Sequence, residues 1–220
     1  MKLVAFYNKS YEPLKKRFLK SLLDDFELDI DFIPIKANEN TPGGGRSIWK
    51  ARTKWTADKI QKYKNEIVLF CDLDIQFFQP IKDNILALLN DNDILFQRAK
   101  PNRKPINIGV MVVKCNKKTE TLWRLASNIS HYYKIQDEDI INTLLSSQVT
   151  NPLQIKYDFL PLTYAITNYI NNSTIVDLML HHETSTRFIE SKLEVMSKIK
   201  KRWEKGMREK ERKVSRPCYL

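Results

Sequence analysis

Long apolar runs are missing from this sequence: no stretch approaches the roughly 20 residues that a membrane-spanning helix requires. Cysteine is scarce, with three residues scattered at Cys71, Cys115 and Cys218. They form neither a metal-spaced cluster nor an even disulfide framework, so a reducing, cytoplasmic setting is expected. The N-terminus lacks the pattern of a signal peptide, because a single lysine precedes an apolar strand from Leu3 to Phe6. Without a secretory route, the sequons at Asn8, Asn128, Asn171 and Asn172 are expected to be chance products of an Asn- and Lys-rich composition. Histidine is also scarce, and two of the three are adjacent, at 181 and 182. No internal repeat and no clear linker is visible, and 220 residues suffice for one sizeable core.

Positive charge is plentiful, and it is uneven. The net charge is +11, and residues 191–216 carry eleven Lys/Arg against four Glu. The remainder is only mildly basic, which argues against a nucleic-acid groove spread over the body, and no specific nucleic-acid partner is expected. Within 185–213, Ile189, Leu193, Met196, Ile199 (or Lys200), Trp203 and Met207 recur at three- and four-residue spacing, which predicts a long amphipathic helix. Its plain role is a terminal helix docked on the body with a solvated charged face. Its sharper role is peripheral contact with an anionic membrane surface or an acidic partner.

Strands and helices alternate along the body. Residues 2–6 read as a strand, 10–23 as an amphipathic helix, and 29–35 as an alternating strand. A loop at 37–45 ends in Pro42-Gly43-Gly44-Gly45. A helix at 47–64 follows, then a strand at 66–71, an extended piece at 75–78 and a helix at 81–89 opened by Pro80. Strands are expected at 93–97, at 106–113 with an interruption at Gly109, and late at 155–160 and 175–180; helices are expected at 117–133 and 137–145. The alternation predicts an α/β fold: a mixed, mostly parallel sheet flanked by helices over residues 1–183, with a basic helical extension over 184–220.

One strand end carries the chemistry. Glu66-Ile67-Val68-Leu69-Phe70-Cys71 is an apolar, β-prone run that delivers Asp72 and Asp74 to its C-terminal end. In open α/β sheets ligands sit at that end. Two carboxylates there can hold a hard divalent cation, which in turn can hold a diphosphate. The bland alternative is a polar strand end with two solvated or capping aspartates.

The surrounding residues resemble the GT-A glycosyltransferases. The segment Ile67 to Pro80 is similar to their central strand, Asp-x-Asp and short extended piece. Pro105-Ile106-Asn107-Ile108-Gly109-Val110 resembles their Asn-x-Gly strand, which approaches the donor sugar. Asp137-Glu138-Asp139-Ile140-Ile141-Asn142 resembles the acidic helix start beneath that sugar. Phe159-Leu160-Pro161-Leu162-Thr163-Tyr164 is similar to the strand exit of the family, and Leu178-Met179-Leu180-His181-His182 to the late strand whose histidine completes the metal site. The five segments follow the family's order over roughly residues 2–183. The relatives implied are compact nucleotide-diphospho-sugar transferases, including soluble ones of bacteria and large DNA viruses.

The resemblance implies a GT-A-like (Rossmann-like) catalytic domain at 1–183. It further implies a metal-dependent transfer of a sugar from a nucleoside-diphosphate donor, UDP-linked, to a hydroxyl of a glycan, lipid or protein. Asp74 is then the main ligand of Mn²⁺ or Mg²⁺, with Asp72 reaching the metal through water or binding the donor's ribose. Neighbouring side chains on a strand face opposite ways, so one of His181 and His182 can reach the metal; His181 is preferred because it directly follows the apolar run. Glu138 or Asp137 is expected at the anomeric carbon, as nucleophile or charge stabiliser in a retaining reaction or as base in an inverting one; helix capping is the alternative for these acids. Asn142 either orients that cluster or bonds backbone. Lys50, Arg52 and Arg46 compete for the diphosphate, Tyr7 for the base, Asn107 and Gly109 line the donor, and Gln97 and Arg98 face the sugar.

Two other classes remain in view. A sugar-nucleotide pyrophosphorylase is also α/β and metal-dependent, but calls for a Gly-rich, Arg/Lys-ended loop after the first strand, where Tyr7-Asn8-Lys9-Ser10 stands. A non-enzymatic membrane or nucleic-acid binding module would account for the basic tail and leave the acidic strand end unexplained.

Overall fold

The computed structural model describes residues 1–35, 45–99, 106–146, 153–167, 170–171, 175–186 and 188–214. Of the glycine-rich loop expected at 37–45, only Gly45 is among them. In chain order the elements are β1 (Lys2–Tyr7), α1 (Glu12–Ser21), β2 (Glu27–Phe32), α2 (Arg46–Lys62), β3 (Ile67–Cys71), β4 (Ile75–Phe77), α3 (Lys82–Leu89), β5 (Ile94–Arg98), β6 (Ile106–Lys114), α4 (Lys117–Tyr132), α5 (Asp137–Leu145), β7 (Tyr157–Phe159), β8 (Tyr164–Ile166), β9 (Leu180–His182) and α6 (Ile189–Val214).

Six strands form a mixed sheet in the order β2-β1-β3-β6-β5-β7, in which β6 runs antiparallel to both its neighbours and the other pairs are parallel. The central strands are apolar at nearly every position because helices cover both faces, the pattern expected of a doubly covered sheet. Val4, Val68, Phe70, Met111 and Val113 face one layer, packed with Ile60 of α2, Trp123 of α4 and Ile141 of α5. Their chain neighbours Leu3, Ala5, Leu69, Val110 and Val112 face the other, with Phe18 of α1 and Ile85 and Leu89 of α3. Local chemistry agrees with the layers. Asn116 caps α4 by accepting from the Thr119 N–H at 3.0 Å, while the Thr119 hydroxyl accepts from the Asn116 N–H at 3.0 Å. Such reciprocal capping satisfies two amides that would otherwise lack partners.

A second small sheet, β4-β9-β8, sits beside the first. Two expectations change here. Residues 175–177 form a turn of 3₁₀ helix, and the late strand starts at Leu180. The strand β8 was not legible, because three residues carry no period; its parallel pairing to β9 makes it a strand. Nor does Gly109 interrupt β6, which runs unbroken through it. The irregularity lies in the pairing, which jumps from Phe96 opposite Met111 to Gln97 opposite Asn107.

The helix α6 docks by one face. Met196 and Ile199 are buried, and Ile199 packs with Phe78, Ile175 and Leu178. The Trp203 ring lies 5.3 Å from that of Phe78. Lys198, Lys200 and Lys201 on the same helix are exposed. Among the described residues no helix is long and apolar enough to cross a membrane.

Candidate active site

Topology brings distant segments to one edge of the main sheet. β1 and β3 are parallel, so their C-terminal ends, with Tyr7 at one and Asp72 just past the other, lie at the same edge. β6 is antiparallel to β3, so its N-terminal half returns there, and the Asp72 N–H donates to the Gly109 carbonyl at 2.7 Å. Leu73, wholly buried, anchors the turn between the aspartates. β4 then pairs with β9, setting Ile75 opposite His182. The result is a cleft of about 510 Å³ whose lining includes Tyr7, Arg52, Asp72, Asp74, Asn107 and Glu138.

At its floor, one oxygen each of Asp72 and Asp74 and one ring nitrogen of His182 lie within 4.8 Å of one another. His182 Nε2 is 3.4 Å from Asp74 Oδ1 and 3.8 Å from Asp72 Oδ2. Asp74 Oδ1 is buried and accepts no hydrogen bond from the described residues. A buried carboxylate oxygen without a donor is costly, and a cation would satisfy it. Two carboxylates and an imidazole form a donor set suited to a divalent cation, the imidazole shifting preference from Mg²⁺ toward Mn²⁺. Burial pushes the Asp74 carboxyl up, but the Lys192 ammonium acts most strongly against it and the group is held well below the usual range. Asp72 goes the other way: burial and the neighbouring Asp74 raise it against the pull of Arg52.

Glycine is required at position 109. A Cβ there would lie 2.2 Å from His182 Cε1 and 3.0 Å from Asp72 Oδ2, so any side chain would displace the imidazole or the carboxylate. This is a close-approach role of glycine.

Arg52 ties the aspartate pair to the acidic helix start. Its Nη1 is 3.3 Å from Asp72 Oδ2, and its Nε is 2.8 Å from Asp137 Oδ2. Asp137 is wholly buried and spent on this ion pair and on the Glu138 N–H, which it accepts at 3.0 Å. Of these two acids of α5, Glu138 lines the cleft. Burial, helped by Asp137 and opposed by Arg52, pushes its carboxyl up to about 7. Asn107 donates to Glu138 Oε2 at 3.1 Å and accepts from the Gly109 N–H at 2.9 Å. Asn142 bonds backbone: it accepts from the Ile106 N–H at 2.6 Å and donates to the Ile106 and Glu138 carbonyls. It thereby locks α5 against β6 and orients Glu138.

Other residues singled out from sequence land differently. His181 points away from the aspartates. It is buried against Thr167, whose hydroxyl is 2.9 Å from its Nε2, and against Glu183 at 3.5 Å. The preference for His181 is therefore corrected to His182, since alternation along β9 turns only the latter toward Asp74. Lys50 is also corrected. Ile48 and Arg52 line the cleft one helical turn apart, and Lys50, midway between them, does not. Arg46 reaches the His131 carbonyl at 3.3 Å. Arg98 stacks 4.3 Å over the Phe159 ring, and Gln97 is buried behind His182. Tyr7 lines the cleft, its ring edge-on to Phe32 and its hydroxyl accepting from Lys15 at 2.9 Å.

Sequence reasoning missed Lys192. Its ammonium, buried at the edge of the cleft, donates to Asp74 Oδ2 at 2.6 Å and to the Glu183 carbonyl at 2.7 Å. A signal existed: Lys192 occupies the inward stripe of α6 with Met196 and Ile199, where a lysine needs an acidic partner.

Residues 57–213 match the family model described as nucleotide-diphospho-sugar transferase. A search of the curated proteins finds no match. Among solved structures, a glycosyltransferase involved in glycosylation of the major capsid of PBCV-1 is similar with a TM-score of 0.59 at 15% identity, over 89% of this chain and 100% of that one. The glycosyltransferase GlyE of Streptococcus pneumoniae TIGR4 has a TM-score of 0.58 at 13% identity, over 88% of this chain and 60% of its own. The galactosyltransferase LgtC, in complex with donor and acceptor sugar analogs, has a TM-score of 0.52 at 14% identity, over 90% and 96%. At these identities the likeness is one of fold.

Proposed function

From the premise that this chain belongs to the nucleotide-diphospho-sugar transferase family and is a glycosyltransferase, we propose that it moves a sugar from a UDP-linked donor to a hydroxyl acceptor with Mn²⁺ as the preferred cation. The observation that carries this reading is the convergence of Asp72, Asp74 and His182 around an oxygen that no donor of the described residues satisfies. These three residues would hold the cation, which when bound supplies Lewis-acid stabilisation of the charge that grows on the departing diphosphate.

The other roles follow from charge and position. Arg52 and Lys192 bring positive charge to the diphosphate end of the cleft, beside the aspartates they now neutralise. Tyr7, at the end of β1, offers an aromatic wall for the base. Asn107 and Gly109 border the sugar, and Asn107 fixes the carboxylate of Glu138. Glu138 is our candidate for the group facing the anomeric carbon, because it is the acid of α5 that is both in the cleft and raised to about 7. Asp137, paired to Arg52, orients rather than reacts.

The test is release of UDP from UDP-sugars, assayed with and without Mn²⁺ or Mg²⁺. Turnover is expected only with the cation, and Asp74→Ala should lower it by about 10²-fold or more, the usual cost of removing one preorganised electrostatic group. Full turnover in chelator, or an undiminished Asp74→Ala variant, would overturn the metal assignment.

A further inference from the structure

Gln97 stands at the irregularity in β5 and is 0% exposed, and both ends of its amide are used. Its Nε2 donates to the Tyr164 carbonyl at 2.9 Å, and its Oε1 lies 2.7 Å from Nδ1 of His182. A carbonyl can only accept, so the amide nitrogen must face Tyr164. The amide oxygen is thereby turned toward His182, and it too can only accept. Nδ1 of His182 must then carry a proton, which in a neutral ring leaves the lone pair on Nε2. Nε2 is the atom directed at Asp74 Oδ1 and Asp72 Oδ2.

The ring has little freedom to adopt another arrangement. Gly109 closes on the ring at Cε1 and Nδ1, so near that even a Cβ would meet Cε1 at 2.2 Å and Nδ1 at 2.9 Å. The Tyr164 carbonyl is itself held in place, since β8 pairs in register with β9 and sets Tyr164 opposite Leu180 and Ile166 opposite His182. The backbone of one strand thus orients an amide, and the amide orients an imidazole on the adjacent strand.

We propose that Gln97 is a positioning residue that holds His182 with its proton on Nδ1, so that the Nε2 lone pair is presented to a divalent cation between Asp72 and Asp74. The inference rests on the metal-dependent reading above and names a determinant of the cation site that contacts neither cation nor sugar. Partners of this kind behind a metal-ligating histidine change cation affinity by about 10–100-fold.

Two measurements test it. The first is nitrogen-15 NMR of the histidine-labelled chain with saturating Mg²⁺ and UDP, with His182 assigned by loss of its signals in His182→Asn. The expected spectrum has a proton on Nδ1 and none on Nε2; a proton on Nε2 would overturn the proposal. The second is calorimetric titration of Mn²⁺ into the chain with UDP present. Gln97→Leu should weaken binding at least tenfold, and equal affinity in the folded variant would refute the role. Should Gln97→Leu fail to fold, the spectrum of the unaltered chain still decides. Absence of any cation binding to the unaltered chain would remove the metal reading and this inference together, whereas cation binding with the wrong tautomer removes this inference alone.

Discussion

At the scale of single residues, the cleft sorts four neighbouring carboxylates by environment. Asp74 is held ionised chiefly by Lys192, while Asp72, Asp137 and Glu138 are pushed up mainly by burial. Of the four, Asp74 is thus shifted toward its ionised form and the other three toward the protonated one. The Glu138 carboxyl is raised to about 7, within the physiological range. If the ionised form is the working one, it is scarce below that value and grows through it. Turnover should then rise with pH through an inflection near 7, and Glu138→Gln should flatten that profile while lowering the plateau by about 10²-fold. A pH series of kcat on both forms checks this. The Asn107 amide would still find an oxygen in the variant, so the fold should be retained.

At the scale of elements, α6 is both a packing element and a contributor to the cleft. Its inward stripe places Lys192 on Asp74 and Met196 and Ile199 in the core. An ammonium group thus lies against a carboxylate proposed to bind a cation. Lys192→Met would leave the Asp74 charge buried without its strongest partner. Removing one member of a buried pair costs roughly 3 kcal/mol, about 10 °C of melting temperature in a chain of this length. Added Mn²⁺ should recover more stability in the variant than in the unaltered chain, because no ammonium competes for Asp74. Thermal unfolding of both proteins across a Mn²⁺ series measures the difference. Equal Mn²⁺ shifts would show that Lys192 does not compete with the cation.

At the scale of the whole molecule, the cleft exists where the main sheet, the small sheet and α6 meet. A chain ending at residue 183 keeps every strand among the described residues but loses Lys192, Met196 and Ile199, and it uncovers Phe78, Ile175 and Leu178. At about 1.5–3 kcal/mol per buried apolar side chain, the loss approaches the total stability of a typical domain, roughly 5–15 kcal/mol. Calorimetry should find no cooperative transition, or one shifted far down; an unfolding curve within a few degrees of the full chain would show that α6 is dispensable. Much of this arrangement was legible beforehand. Apolar runs such as Ile67–Cys71 and Val110–Val113 declare buried strands because the hydrophobic effect acts on each residue locally, and periodic stripes such as Leu14 and Phe18 declare helices for the same reason. The aspartates stood out because two charges at the end of an apolar strand demand a partner. The sequence by itself therefore determined the alternating α/β order, the carboxylate pair and the acidic start of α5. Only the tertiary structure decided which histidine turns inward, that Arg52 rather than Lys50 reaches the pair, that Lys192 covers it, and that Gln97 stands behind His182. Those choices depend on strand register, helical phase and contacts between residues far apart in the chain, and a one-residue shift in any of them would point a different side chain at the same place.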